Sequence, residues 1–335
     1  MDELAAELGT PVDYTANALR ARLWRVKANE HILCLTMHHL VTDAWSCGVI
    51  YREFGALLEE TPPLPPTEWQ YIDFSNWQND FLHSEQADRH KDYWARKLTG
   101  LELPAVPLEP RLRSRPRRSA VVQTMITPAV TTALQRLARA ERSTLFAVML
   151  AAYYAALHRQ TGQRDLAIAS LFANRSQRHA AGTVGFLANM VVLRAELPAV
   201  ASLADLVAAS GRTAREAFIH ESIPYQLLPV PAATVATQRV DDVVFQMLGE
   251  PIKVSTKAAG LELEGVVPRG VARFDCELTV IPHEGGLQVS LFHAADRLDT
   301  EWAQAMVDDY AALASAGALD PGRPLTRLGG RIPGR

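Results

Sequence analysis

The segment His38-His39-Leu40-Val41-Thr42-Asp43-Ala44-Trp45 puts two adjacent imidazoles at the end of an apolar run, with a carboxylate four residues beyond the second. A neutral histidine, with an ordinary pKa of about 6.5, is the natural proton acceptor near neutral pH. Adjacent residues at a strand end point to opposite sides, so the two rings do not readily share a ligand or metal. One is expected to face a cleft and the other to be packed. Asp43 is close enough to fold back and fix the loop or an imidazole tautomer, and with Thr42 it is also suited to cap a following helix. Structural roles are favoured for His38 and Asp43, and function for His39.

The elements around the motif form a strand–loop–helix corner, which sets polar groups at the edge of a rigid scaffold. Residues 31–37 read as a buried strand, and Val49, Ile50, Phe54, Leu57 and Leu58 fall at helical spacing. That helix covers about residues 46–60, and prolines at 62, 63, 65 and 66 end it. Leu19, Ala21, Leu23 and Val26 alternate with arginines, which predicts a strand paired to 31–37 across a turn at Ala28-Asn29-Glu30. One long helix is expected over 74–98. Residues 99–118 then change character, with prolines among Arg111, Arg113, Arg115, Arg117 and Arg118. A solvated connection is the expectation there, although such a run also suits a phosphate or an acidic partner.

Beyond it the pattern predicts strands near 120–126, 165–171, 189–195, 241–248, 260–267, 273–281 and 286–292. Helices are expected near 129–141, 144–161, 202–220 and 299–315, and His283-Glu284-Gly285-Gly286 reads as a hairpin turn. These blocks divide the chain into an N-terminal lobe over 1–105, a linker over 106–118, a C-terminal lobe over 119–325 and a tail over 326–335.

With 335 residues, 48% of them apolar and 21% charged, the chain has an ordinary globular composition and is long enough for two cores. A net charge of −3 gives no electrostatic case for binding nucleic acid or an acidic membrane. Cys34, Cys47 and Cys276 lie far apart without a C-x-x-C pair, so free thiols in a reducing cytoplasm are expected rather than disulfides. The start is acidic and lacks an apolar signal core. The longest apolar run, 145–157, is shorter than the roughly 20 residues that span a bilayer, and reads as a buried helix. His38, His39 and Asp43 lack metal-ligand spacing, and His83, His90, His158 and His179 are scattered, so no metal is expected. Cys47 near a helix start is a conceivable nucleophile, with a core thiol the favoured reading. Ser46 has no nucleophile-elbow context.

The motif resembles the H-H-x-x-x-D-G signature of condensation domains of nonribosomal peptide synthetases, within the chloramphenicol-acetyltransferase-like acyltransferases. Tyr71-Ile72-Asp73-Phe74-Ser75-Asn76-Trp77-Gln78 is similar to the family's Y-x-D-F-x-x-W-Q segment. Residues 184–194, which include Gly185, Phe186, Asn189 and Arg194, resemble its G-F-F-x-N-x-x-x-x-R segment. Asn174-Arg175 matches a glycine- or asparagine-arginine pair after a strand, and His220 to Leu228 an H-x-x-x-P-x-x-x-L stretch. Ala44 stands where the family has glycine. The 37 residues ahead of His38 match the stretch directly before the motif, and the family's opening strand–helix unit has no counterpart in them.

The resemblance implies an α/β fold of two chloramphenicol-acetyltransferase-like sandwich lobes in a V with a central tunnel, the first lobe incomplete. It implies transfer of an acyl or aminoacyl group from a 4'-phosphopantetheine thioester to an amine. The partners would be peptidyl or acyl carrier proteins in trans, with a further protein as one source of the missing unit and no cofactor bound. His39 would orient the amine and accept its proton, with His38 a packed positioning residue. Asp43 would hold the loop and take a salt bridge from Arg175 in place of the arginine that the opening unit normally supplies. Trp45, Asn189 and Arg175 are the candidate substrate contacts, with packing favoured for Trp45 and a loop-tying amide equally open for Asn189. Ester formation on a hydroxyl acceptor and a non-catalytic carrier-binding module are the alternatives.

Overall fold

The computed structural model describes residues 2–59, 66–110, 117–198, 201–230, 238–249 and 270–325. The expectations for the proline cluster at 62–65, the arginines at 111–115, the strand at 260–267 and the tail at 326–335 lie outside the described residues.

The chain divides into two units. The first comprises residues of Met1–His83 together with Ala173–Ala188. It contains α1 (Asp2–Gly9), the antiparallel pair β1 (Leu19–Lys27) and β2 (Glu30–Met37), α2 (Ala44–Leu58) and α3 (Tyr71–Leu82). The β1–β2 register pairs Leu19 with Met37, Ala21 with Leu35 and Leu23 with Leu33, so one face of the hairpin is apolar. The other face carries Arg20 and Arg22, and both guanidinium groups reach the buried Glu7 carboxylate of α1. This pairing fixes α1 on the hairpin, because a carboxylate taken out of water needs compensating charge. Phe74 of α3 packs with Ala180 and Leu187 of the 173–188 segment, flanked by Trp69 and Trp77.

The second unit comprises residues of Ser84–Phe172, Asn189–Lys253 and Glu264–Arg335. It opens with α4 (Glu85–Leu98). The expected single helix over 74–98 is two: Ser84 interrupts it and caps α4, its hydroxyl accepting from the Ala87 amide at 3.2 Å. Residues 84–105, expected in the N-terminal lobe, belong to the second unit, and the 173–188 segment, expected in the C-terminal lobe, belongs to the first.

A six-stranded sheet forms the body of the second unit, in the order β3-β8-β7-β6-β4-β5. These strands are β3 (Ser119–Ile126), β4 (Asp165–Phe172), β5 (Asn189–Glu196), β6 (Val243–Met247), β7 (Cys276–His283) and β8 (Gly286–Ala294). The β4–β6 and β6–β7 pairings are parallel and the others antiparallel. At the β7–β8 turn Glu284 and Gly285 both have positive φ, 47° and 78°, as a two-residue turn matched to strand twist requires.

Among the described residues this unit has four further helices: α5 (Pro128–Ala140), α6 (Leu145–Thr161), α7 (Leu203–Ile219) and α8 (Thr300–Leu319). Every residue of α6 from Ala147 to Leu157 is buried, as a helix apolar on all sides must be. One deep polar handle on it is satisfied, since the Tyr154 hydroxyl donates to the Leu193 carbonyl at 2.9 Å. Asp275 is fully buried and neutralised by Arg117 and Arg297.

Helix α8 lies so close to the start of α7 that a Cβ on Gly317 would sit 2.3 Å from Leu203 Cδ2 and 2.9 Å from its Cβ. Gly317→Ala is therefore expected to lower stability by about 1–3 kcal/mol, read from the urea midpoint. A midpoint equal to the parent's would contradict that close approach. Among the described residues no helix is long and apolar enough to cross a membrane. All three cysteines are free thiols.

Candidate functional site

Strand β2 ends at Met37, and the next residues wind into a single tight turn over His39–Val41. His38 caps that turn: its Nδ1 accepts from the Leu40 amide at 3.1 Å, and its ring lies 4.8 Å from Tyr14. The Nδ1 of His38 must be unprotonated to accept, so this ring is engaged in holding the corner.

His39 is exposed and differently arranged. Its Nδ1 lies 2.6 Å from the Thr42 carbonyl. A carbonyl can only accept, so this contact puts the proton on Nδ1 and leaves the Nε2 lone pair as the proton acceptor. The ring meets the Phe186 ring edge-on with centroids 5.0 Å apart. His39 therefore takes its tautomer from backbone, and Asp43 has a separate task.

Asp43 is buried at the N-cap of α2. Its Oδ1 accepts from the Ser46 amide at 2.8 Å and from Arg175 Nη2 at 3.0 Å. Its Oδ2 accepts from Arg175 Nη1 at 2.8 Å, the Leu187 amide at 3.1 Å and the Ala188 amide at 3.0 Å. Burial alone would push this carboxyl's pKa up. The Arg175 hydrogen bonds, the Ser46 amide and the guanidinium charge outweigh burial and hold it below the ordinary aspartate value. Asp43 stays ionised at neutral pH and moves no proton.

The loop that supplies Arg175 turns inward at Asn174, whose φ of 52° lies in the left-handed region that asparagine tolerates better than most residues. Its side-chain amide donates to the Leu187 carbonyl at 3.0 Å, tying the two ends of the 173–188 segment. Ser46 joins the network through its hydroxyl, which donates to the Gly185 carbonyl at 2.8 Å and accepts from the Gly185 amide at 3.0 Å. It also accepts from Arg175 Nη2 at 2.9 Å. A fully buried hydroxyl with these three partners is a strut and not a nucleophile.

The structure brings Trp45 into the same unit, with its indole N–H donating to the Ala181 carbonyl at 2.8 Å and Arg175 stacked over the ring at 5.7 Å. The ring remains half exposed, so Trp45 can still meet a ligand. Two candidate substrate contacts, Arg175 and Asn189, are engaged within the protein, Asn189 in the loop-tying role left open for it. Arg175 is buried, and its terminal nitrogens are committed to Asp43, Ser46 and the carbonyls of Ala173 and Thr183. Asn189 lies in the second unit as a buried amide: Nδ2 donates to the Glu221 and Ile223 carbonyls and Oδ1 accepts from the Tyr225 amide. Both hold backbone: the Asn189 amide and the two terminal nitrogens of Arg175 already have protein partners.

Arg194 of the same motif segment is structural as well, pairing with Asp165 and donating to the Lys97 and Thr99 carbonyls at the end of α4. Ala44, in place of the family's glycine, occupies the first position of α2 with its side chain exposed, a place that demands no positive φ. The residues that sequence reasoning missed are Thr42, whose carbonyl sets the imidazole tautomer, Ser46 as a strut, and Tyr71, which packs on Gly185. A backbone carbonyl carries no sequence signal at all. Among the described residues no group of three or more His, Cys, Asp or Glu could hold a metal ion.

Fold and site together define a two-unit α/β protein organised around a His-His-x-x-x-Asp corner. The condensation-domain family model matches residues 9–329. A linear gramicidin synthase of Brevibacillus parabrevis is 30% identical over 322 residues, 92% of this chain and 4% of that protein. Two solved structures are similar throughout. The X-domain from teicoplanin biosynthesis aligns with a TM-score of 0.80 at 21% identity, covering 98% of this chain and 79% of that one. The condensation domain from the Monacolin K polyketide synthase MokA gives 0.80 at 22% identity, covering 97% and 79%. The chain belongs to the condensation-domain family of nonribosomal peptide synthetases, an acyltransferase family of chloramphenicol-acetyltransferase-like fold. It spans 4–7% of the length of three curated relatives that it matches.

Proposed function

We propose that this chain joins an acyl or aminoacyl group, carried as a thioester on the 4'-phosphopantetheine arm of a carrier protein, to an amine, forming an amide. The observation that carries this reading is His39: an exposed imidazole whose Nδ1 is pinned to the Thr42 carbonyl, which leaves the Nε2 lone pair as the acceptor. As the amine nitrogen attacks the thioester carbonyl, Nε2 takes the proton that the nitrogen sheds. The tetrahedral intermediate then collapses, the carbon–sulfur bond breaks and the imidazolium returns the proton to the departing thiolate. The transfer is read as direct from thioester to amine: Ser46, the first hydroxyl of the motif helix, is engaged as a strut, and no covalent role is assigned to the Cys47 thiol. Three free thiols fit work in a reducing cytoplasm.

The reading is tested by incubating the chain with an aminoacyl-loaded carrier domain and equal concentrations of an amine-bearing and an alcohol-bearing acceptor. Intact-mass analysis is expected to find the amide in large excess. Predominant ester would move the assignment to a depsipeptide-forming enzyme. Carrier binding without transfer to either acceptor would leave a non-catalytic module.

A further inference from the structure

The 185–186 backbone is held by both Tyr71 and Ser46. A Cβ on Gly185 would sit 2.3 Å from Tyr71 Cδ2 and 2.9 Å from Cγ, so the tyrosine ring rests directly on this glycine's backbone. The Tyr71 hydroxyl then donates to the Phe186 carbonyl at 3.3 Å, while Ser46 grips both the amide and the carbonyl of Gly185. The outcome of this clamp is the placement of one side chain. The Phe186 ring stands edge-on to His39 at 5.0 Å and stays 37% exposed, too open for its main task to be core packing. Leu40 and Val41 beside His39 in the chain, and Val184 beside Gly185, are exposed apolar residues as well.

We propose that Phe186 is a specificity-determining residue, an apolar wall beside His39 that selects acceptor amines bearing an apolar substituent on the carbon next to nitrogen. The inference rests on the function proposed above. An amine whose proton passes to His39 Nε2 lies within hydrogen-bond reach of that atom, about 3 Å away. The Phe186 ring, with its centroid 5.0 Å from that of the imidazole, is the apolar surface next to His39 that is available to the substituent on the adjacent carbon. Such a wall gains contact area from a leucyl or phenylalanyl side chain, gains nothing from glycyl, and strips water from an aspartyl carboxylate without offering it a partner. Tyr71 acts through Phe186 as a positioning residue.

The test compares glycyl, leucyl and aspartyl acceptor thioesters at saturating donor, measuring kcat/KM for the parent, Phe186→Ala, Phe186→Leu and Tyr71→Phe. Phe186→Ala is expected to lower kcat/KM for the leucyl acceptor about 10–100-fold, mainly through KM, and to change the glycyl value less than about threefold. Phe186→Leu should recover most of the leucyl preference, and Tyr71→Phe should lose part of it. Equal losses for glycyl and leucyl acceptors, or an unchanged leucyl-to-glycyl ratio, would overturn the inference. Absence of transfer by the parent with every acceptor would instead refute the function on which it rests.

Discussion

His39→Ala is expected to slow amide formation about 10²–10⁴-fold, the usual contribution of a positioned general base. The unfolding midpoint should stay within about 0.5 kcal/mol of the parent, because the ring is exposed. Truncation removes the exposed ring that covers the Thr42 carbonyl, which admits water to that acceptor. The pairing of a large rate loss with unchanged stability separates His39 from its neighbour. His38→Ala removes the cap on the Leu40 amide, so stability and rate should move together there. Single-turnover assays beside urea denaturation measure both quantities. Turnover by His39→Ala at the parental rate would remove the proposed mechanism entirely.

Arg175→Met is expected to cost about 3–5 kcal/mol of stability, the scale set by leaving a buried charge without its partner. Asp43 and Arg175 are both buried and joined through two hydrogen bonds, so solvent cannot replace the guanidinium. The pH dependence follows from the direction of the Asp43 shift. A carboxyl held below its ordinary value binds protons more weakly in the folded chain than in the unfolded one. Its contribution to stability is therefore present above the unfolded value of about 4 and is lost as pH falls through the lower folded value. Without Arg175, burial dominates and the folded value rises above the unfolded one, so the variant should regain stability as pH falls through that raised value, opposite to the parent. Pairing Arg175→Met with Asp43→Asn should restore part of the loss, since the stranded charge is then gone. A loss below about 1 kcal/mol, typical of exposed pairs, would contradict the central role given to this ion pair.

Much of the local structure was legible because it is written in short-range physics. The 2.0 and 3.6 residue periods marked most strands and helices to within a few residues, and the turn at His283–Gly286 follows from its glycines. The break at Ser84 was missed because the apolar spacing runs on through it, although Ser84 with Glu85 and Asp88 is itself a helix-start signal. The division of the chain was harder to read. The 173–188 segment interrupts two paired neighbouring strands, β4 and β5, to join a different unit, and no composition shift marks that excursion.

By itself, the sequence supplied grounds for the family through its motif segments, marked the strand–loop–helix corner by periodicity, and singled out His39 as the candidate imidazole. Only the tertiary structure decided that the Thr42 carbonyl fixes the ring's tautomer, and that the amides of Leu187 and Ala188, more than a hundred positions away, join the expected Arg175 on Asp43. It also decided that Asn189 and Arg175 hold backbone. The reason is physical: a buried donor or acceptor is satisfied by whatever the fold brings within about 3 Å, and one-dimensional spacing does not record that distance.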